Sequence, residues 1–181
     1  GALNTIGASS GTDALLSIFM LLRSTGWESQ DEVLVTPFTF AASATSIVRA
    51  GLKPVFVDLS KDSFAPSVKE YEAALTSKTR GILTVHLFGE PTDLGELKQF
   101  CKANNLSLIE DCARAMGTTW EGQHVGTFGH AGAFSFFPAK NLGCLGDGGC
   151  IATNSDELAT KLKMMCTHGT RIKYKHEILG G

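Results

Sequence analysis

Lys140 is the residue whose surroundings in this sequence most favour covalent chemistry. The six residues before it, 134–139, contain three phenylalanines and no charged residue, so we expect the lysine to be half-buried. Burial readily lowers the pKa of a lysine, whose amine then becomes a nucleophile able to form a Schiff base. Lysines more often lie on solvated surfaces, and the local sequence alone leaves that alternative open.

Asp111 is a second candidate for chemistry. It ends the run 107–111, in which Glu110 is the only other charged residue, so its carboxylate is predicted to be partly desolvated. A desolvated carboxylate needs a cationic partner. One candidate is Arg114; the other is the nitrogen of a pyridine ring, which the carboxylate would keep protonated so that the ring accepts electrons.

A small-residue segment near the start of the chain offers a site for an anion. Residues 6–13 are predicted to form a loop that leads into a helix over 14–23. Ser10 or Thr12 would cap this helix, and a start at Gly11 and Thr12 leaves backbone N–H groups free to receive an anion. An ordinary helix cap explains the same residues equally well.

Taken together, these residues meet the four needs of pyridoxal 5′-phosphate. Lys140 supplies an amine for the aldehyde, and Asp111 supplies the partner of the pyridine nitrogen. The helix start at Gly11 and Thr12, with the hydroxyl of Ser135, supplies a phosphate site. Phe40 offers a flat apolar face that can cover the ring.

Short apolar strands alternate with helices along the chain. Strands are predicted over 31–37, 54–58, 81–86, 106–111, 131–136 and 150–153, and helices over 14–23, 41–50, 68–75, 93–105 and 156–166. The order predicts an α/β fold, a three-layer sandwich with a mostly parallel sheet covered on both faces, in which the strand 54–58 is buried. Ligands bind beyond the carboxyl ends of such strands, where Phe40, Asp111 and Lys140 fall.

Composition excludes several other classes of protein. The 181 residues are enough for one domain, and 16 basic against 18 acidic residues form no block of like charge that would bind nucleic acid or a membrane. The chain opens without a signal-peptide pattern. Five cysteines without a C-x-x-C pair predict reduced thiols in a cytoplasm, and the scattered histidines predict no metal site.

Seven short runs also carry a family resemblance. They are 9–15, 37–40, 85–89, 109–113, 134–143, 146–149 and 167–169, and they keep their order along essentially the whole chain. In these runs the sequence resembles the sugar aminotransferases of the DegT/DnrJ/EryC1/StrS family.

The resemblance implies a fold and a set of site residues. Residues 1–181 would be the large domain of a fold-type I pyridoxal-phosphate-dependent transferase, without the N-terminal segment and C-terminal small domain of the family. Lys140 matches the Schiff-base lysine, which also acts as general acid and base, and Asp111 matches the partner of the pyridine nitrogen. The implied cofactor contacts are Gly11, Thr12, Asp13, Phe40, Asp111, Arg114, Ser135 and Lys140.

The implied reaction transfers an amino group from an amino acid, expected to be glutamate, to a nucleotide-diphosphate-linked keto-sugar. Such reactions make amino sugars for cell-surface polysaccharides or antibiotics, and the resemblance implies a homodimer. Sugar dehydration is less consistent, because dehydrating relatives tend to replace the Schiff-base lysine with histidine. A third alternative is a truncated, non-catalytic domain that binds the cofactor or a partner.

Arg114 departs from the family pattern. The family usually has glutamine there, near the ring hydroxyl of the cofactor. The arginine could donate to that oxygen, or it could pair with Asp111 and weaken the contact with the pyridine nitrogen. Met116 stands where the family often has histidine. These departures leave the cofactor assignment in place and bear on substrate and rate.

Overall fold

The computed structural model describes residues 1–61, 63–172, 174–178 and 180. The strands are β1 Asn4–Ala8, β2 Glu32–Val35, β3 Lys53–Phe56, β4 Thr79–Val85, β5 Ser107–Asp111, β6 Thr119–Trp120, β7 Gln123–His124, β8 Ala131–Ser135, β9 Gly149–Thr153, β10 Thr170–Ile172 and β11 Lys175–His176. The helices are α1 Gly11–Ser24, α2 Ala41–Arg49, α3 Val68–Ala73, α4 Leu94–Ala103 and α5 Asp156–Met165, with a 3-10 turn at Leu87–Gly89.

A seven-stranded sheet in the order β1-β9-β8-β5-β4-β2-β3 forms the middle layer. All neighbouring pairs from β8 to β3 are parallel, and β9 runs antiparallel to both β8 and β1. The register places Val85 of β4 opposite Asp111 of β5, and Asp111 opposite Ala133 of β8. The predicted mostly parallel α/β sheet is therefore confirmed, and its central strands end side by side.

The two faces of the sheet are covered because apolar side chains point alternately to either side of each strand. On one face Val35, Leu83 and Ile109 pack with α1, α2 and α5, and on the other face Leu34 and Leu108 pack with α3 and α4. Each fully buried aliphatic side chain contributes roughly 1.5–3 kcal/mol of transfer free energy. The three-layer arrangement follows from this two-sided burial.

Two parts of the sheet differ from the prediction. The segment predicted as a loop from residue 6 begins as β1, because β9 supplies its hydrogen-bond partners; only Ile6 of this strand is buried. The strand predicted as buried over 54–58 is β3 at the edge of the sheet, where Phe56 is 56% exposed. The hairpins β6-β7 and β10-β11 were not predicted.

The described helices include none long and apolar enough to cross a lipid bilayer. All five cysteines are free thiols, as the sequence predicts. The segment 143–149, which is rich in glycine, leads into strand β9 and not into a helix, so it lacks the strand-to-helix context of a dinucleotide-binding loop.

Glu110 anchors the loop that leads to β8. One carboxylate oxygen accepts the backbone N–H groups of Phe128 and Gly129, both at 2.8 Å. The other accepts the N–H of Gly126 at 2.6 Å and pairs with Nε2 of His86 at 3.1 Å. Burial raises the pKa of Glu110, but the His86 contact and the backbone N–H groups outweigh it, so the pKa is lowered. The carboxylate is therefore ionised, and both of its oxygens have hydrogen-bond partners.

Replacing Glu110 with glutamine should destabilise the fold. The amide would turn an N–H₂ group toward backbone donors and His86, at a cost of about 3 kcal/mol in the free energy of unfolding. Urea titration checks this. Glu157→Gln is the control, because its pair with Lys161 is exposed and screened by solvent, so its loss should leave the stability almost unchanged.

The difference in stability between wild type and Glu110→Gln should depend on pH. Because the folded-state pKa of Glu110 is lowered, its stabilisation is present above the unfolded pKa of about 4.3 and is lost as the pH falls through the folded value. The stability gap between wild type and Glu110→Gln should therefore narrow below about pH 4. A gap that is constant with pH would contradict the assignment.

Candidate functional site

A cavity of about 500 Å³ opens at the carboxyl ends of β4, β5 and β8. It is lined by all the predicted cofactor contacts except Asp13, namely Gly11, Thr12, Phe40, Asp111, Arg114, Ser135 and Lys140. A second cavity, of about 830 Å³, lies at the opposite ends of β5 and β8 and is lined by none of them. The structure thus brings together residues that are far apart in the chain.

Asp13 is the one predicted cofactor contact that is absent from the described lining of the cavity. Its carboxylate accepts the hydroxyl groups of Ser9 and Ser10 at 2.6 and 2.8 Å, and these bonds lower its pKa. Ser10 in turn accepts the backbone N–H of Asp13 and is the N-cap of α1. Within the described structure Asp13 therefore organises the first turn of α1 and does not line the cavity.

The start of α1 lies close against the end of β8. A Cβ atom on Gly11 would lie 2.6 Å from Cβ of Ser135, so only glycine lets the helix approach this closely. Gly149 has a similar role, because its Cβ would lie 2.5 Å from the carbonyl carbon of Ser10. The first N–H groups of a helix have no partner within it and carry the positive end of its dipole. The Ser135 hydroxyl beside them completes a site suited to phosphate.

Asp111 is the buried carboxylate of the cavity, with 6% of its surface exposed. Its Oδ2 accepts the hydroxyl of Ser43 at 2.7 Å, and its Oδ1 accepts the N–H of Ala113 at 3.1 Å. Ser43 also hydrogen-bonds the hydroxyl of Thr39 at 2.8 Å. Burial raises the pKa of Asp111, which the Ser43 and Ala113 bonds only partly offset. The carboxylate still lacks a directly bonded cation among the described residues.

Two points follow for the earlier predictions. Arg114 was one candidate partner of Asp111, but the described ion pairs include none between these two residues. Ser43 was missed by sequence reasoning because a serine on a small-residue helix carries no signal of a partner 68 residues away.

Lys140 lies in a tight turn just beyond β8. Its backbone N–H donates to the carbonyl of Phe137 at 2.8 Å, and a Cβ on Gly143 would lie 2.4 Å from the carbonyl oxygen of Pro138. The side chain is half-buried, as predicted. Burial, and then the charge of Arg114, lower the pKa of Lys140, while Asp111 partly offsets this. A larger fraction of neutral, nucleophilic amine results.

Phe40 and Arg114 lie at the rim of the cavity. Phe40 is the N-cap residue of α2 and is 74% exposed, so its ring has no protein surface covering most of it. Arg114 is also exposed. An aromatic face and a cation thus border the cavity above its buried carboxylate.

A metal site is a competing interpretation for one cluster near this cavity. His86, Glu110 and Cys112 place their ligand atoms within 4.8 Å of one another. The oxygens of Glu110, however, already accept three backbone N–H groups and contact His86. We therefore assign this cluster a structural role.

The residues of the cavity fit pyridoxal phosphate. The backbone N–H groups at the start of α1 and the hydroxyl of Ser135 suit a phosphate, and they lie side by side because Gly11 has no side chain. Asp111 is a buried carboxylate whose geometry is fixed and whose cation is missing, which suits a protonated ring nitrogen. Lys140 would hold the aldehyde, and Phe40 could lie against the ring.

Comparisons with known proteins agree with this geometry. The family model described as the DegT/DnrJ/EryC1/StrS aminotransferase family matches residues 1–181. A pleiotropic regulatory protein of Geobacillus stearothermophilus is 46% identical over 97% of this chain and 46% of its own length. The UDP-N-acetyl-3-dehydro-α-D-glucosamine 3-aminotransferase of Acidithiobacillus ferrooxidans is 43% identical over 99% of this chain and 48% of its own.

The solved structure of one relative contains a bound cofactor. NtdA of Bacillus subtilis, with its cofactor PMP bound, is 33% identical and has a TM-score of 0.89, covering 99% of this chain and 40% of that one. This chain spans about half the length of the curated relatives it matches. The whole-chain family match and these relatives show that the chain belongs to the DegT/DnrJ/EryC1/StrS aminotransferase family, for which pyridoxal phosphate is the indicated cofactor.

Proposed function

We propose that this protein moves an amino group from an amino acid, glutamate, to a nucleotide-linked keto-sugar, using pyridoxal phosphate. The main support for the proposal is a single cavity that is lined by the half-buried Lys140, the buried carboxylate of Asp111 and the N-terminus of α1. The Acidithiobacillus relative, an aminotransferase of a UDP-linked keto-sugar, supports the substrate class. Amino-sugar synthesis for a polysaccharide or an antibiotic is the corresponding pathway.

Lys140 has two roles in this proposal. Bound pyridoxal phosphate supplies an aldehyde that captures amines and a ring that withdraws electrons. Lys140 Nζ would anchor the cofactor until the donor amine displaces it. The freed amine would then take the proton from the α-carbon of the donor and deliver it to the carbon that had carried the aldehyde of the cofactor. Its lowered pKa favours the neutral amine, which is the form that can accept this proton.

Asp111 and Ser43 hold the opposite end of the ring. Asp111 keeps the ring nitrogen protonated, and the cationic ring offsets the burial that raises the carboxyl pKa. The Ser43 hydroxyl, at 2.7 Å, and the N–H of Ala113, at 3.1 Å, each hold one carboxylate oxygen and so fix the orientation in which the carboxylate would meet the ring nitrogen. Gly11, Thr12 and Ser135 bind the phosphate, and Phe40 limits access of water to the ring.

A homodimer and a cytoplasmic location are part of the proposal. Phe64 stacks on Phe38 with ring centroids 6.0 Å apart and meets Phe88 edge-on at 5.5 Å. These rings are 44%, 44% and 65% exposed for Phe38, Phe64 and Phe88. This aromatic cluster adjoins the cavity, which Phe88 also lines. Burial against a second copy would remove apolar surface from water beside the site. The five free thiols support a reducing cytoplasm.

The proposed activity predicts a spectroscopic sequence. Purified protein mixed with pyridoxal phosphate should gain visible absorbance, and borohydride should fix the cofactor to Lys140, as located by peptide mass. Glutamate should then convert the bound cofactor to pyridoxamine phosphate. Lys140→Ala should abolish fixation and conversion, whereas Lys102→Ala, outside the cavity, should change neither. Bound cofactor that glutamate never converts would favour the non-catalytic alternative.

Ser43→Ala should weaken cofactor binding by about tenfold to a hundredfold, because a hydrogen bond to a charged group is worth roughly 1.5–3 kcal/mol. Removing this bond also raises the pKa of Asp111 further, so the loss should grow as the pH is lowered. Fluorescence titration with pyridoxal phosphate measures both effects. Thr45→Ala, at an exposed position of the same helix, is the control. Equal affinities in the two variants would show that Ser43 does not position Asp111.

Phe64→Asp should shift the protein from dimer to monomer in sedimentation velocity, because it places a charge at the centre of the aromatic cluster. Leu3→Asp, also exposed but outside the cluster, should leave the dimer intact. A dimer that survives in Phe64→Asp would place the interface elsewhere.

A further inference from the structure

Arg114 is a cation of the cavity that the proposed roles leave unused. It lines the cavity together with Lys140 and Asp111 and is exposed to solvent. Across the described parts of the chain, its guanidinium takes part in none of the ion pairs. Side-chain hydrogen bonds of the described residues do not involve it either, and a guanidinium with five donors is therefore available to a ligand.

The backbone holds Arg114 at a fixed position. The turn after β5 is closed by a bond from the N–H of Ala115 to the carbonyl of Cys112, at 3.0 Å. It packs on Gly89, whose φ is +82° and whose Cβ would lie 3.4 Å from the carbonyl oxygen of Arg114. Thr118 donates its hydroxyl to the carbonyl of Gly89 at 3.1 Å. The side chain thus extends from a braced turn and not from a loose loop.

No acidic side chain among the described residues forms an ion pair with Arg114. The two oxygens of Asp111 are engaged by Ser43 and Ala113, and Asp111 does not reach Arg114 as an ion pair. Asp147, the other acidic residue of the lining, is not in an ion pair with it either among the described contacts. The positive charge of Arg114 instead acts on Lys140: it lowers the pKa of that lysine, although burial lowers it more.

The chemistry of the two substrates points to which anion this is. In an amino-acid donor, a carboxylate is attached directly to the carbon that loses its proton to Lys140. In a nucleotide-linked keto-sugar, the neighbours of the reacting carbon are neutral, and the diphosphate is several bonds away. The phosphate of the cofactor has its own site at the start of α1. The planar fork of a guanidinium also matches a carboxylate better than a lone hydroxyl.

We infer that Arg114 binds the α-carboxylate of the amino-acid donor and is the residue that selects the donor in the first half of the reaction. This inference rests on the proposed aminotransferase function. It assigns Arg114 a ligand different from the ring hydroxyl of the cofactor and different from Asp111. Arg114 therefore acts on the donor half of the cycle, whereas the half that consumes the keto-sugar does not depend on it.

The test compares Arg114→Gln and Arg114→Lys with wild type, all loaded with pyridoxal phosphate. Arg80→Gln is the matched control, because Arg80 pairs with Asp31 at the amino end of β4, the end opposite the cavity. The first measurement is calorimetric affinity for glutarate, an unreactive dicarboxylate. We expect Arg114→Gln to bind glutarate about tenfold to a hundredfold more weakly than wild type. The affinity of Arg114→Lys should fall less, and that of Arg80→Gln should not change.

The second measurement compares L-glutamate with its α-amide as donors. For each donor it follows the conversion of the bound cofactor to pyridoxamine phosphate in a single half-reaction. Wild type should prefer glutamate by at least tenfold, and Arg114→Gln should lose most of that preference. Affinity for pyridoxal phosphate should change little in both variants. Arg114→Lys, which keeps the positive charge near Lys140, should also leave the pH dependence of the absorbance of the loaded protein unchanged. These readouts distinguish recognition of the donor carboxylate from contact with the cofactor.

Three results would overturn the inference. Unchanged glutarate affinity and unchanged preference in Arg114→Gln would show that the carboxylate is bound elsewhere. A change confined to cofactor affinity or to the absorbance of the loaded protein would assign Arg114 to the ring hydroxyl. Equal losses in Arg80→Gln would show a nonspecific charge effect. If wild type bound glutarate through Arg114 but never converted glutamate, the proposed aminotransferase activity would fail and the carboxylate site would stand.

Discussion

The geometry of the site depends on the buried carboxylate of Glu110. Neighbouring residues of β5 point to opposite faces, so Glu110 turns toward the loop 126–129 while Asp111 turns toward the cavity. By accepting three backbone N–H groups of that loop, Glu110 fixes the chain just before β8. Strand β8 then carries Ser135 and leads to Lys140. The ionised side chain of Glu110 thus helps to set the spacing between Asp111, Ser135 and Lys140.

The central fold and most of the site could be predicted from sequence because their signals are local. Apolar strands such as 106–111 and amphipathic helices such as 93–105 show their periodicity within a short window, and the structure contains them with ends shifted by one or two residues. Parallel strands end at the same edge, which is why Asp111 and Lys140 could be placed together in advance. The small residues Gly11 and Ser135 carried a weaker signal that the family motifs strengthened.

The remaining features could not be predicted because they depend on partners distant in sequence. Strand β1 has few apolar residues, and its pairing with β9 joins residues such as Asn4 and Thr153. The contact of Ser43 with Asp111 likewise arises only when α2 packs over the sheet. The hydrogen bonds from the hydroxyls of Ser9 and Ser10 to the carboxylate of Asp13 are likewise visible only in the folded first turn of α1. Short polar contacts of this kind leave no periodic trace in a sequence.

The close approach of Gly11 to Ser135 has a consequence for how the protein is maintained. The phosphate site that we propose would be formed from two segments that lie far apart in the chain, so an unfolded chain would not possess it. Pyridoxal phosphate would then bind the native state alone and stabilise it by mass action, by about 2.7 kcal/mol at a hundredfold excess over the dissociation constant. Supply of the cofactor would thereby govern the lifetime of the polypeptide as well as its activity, and a shortage would expose it to proteolysis.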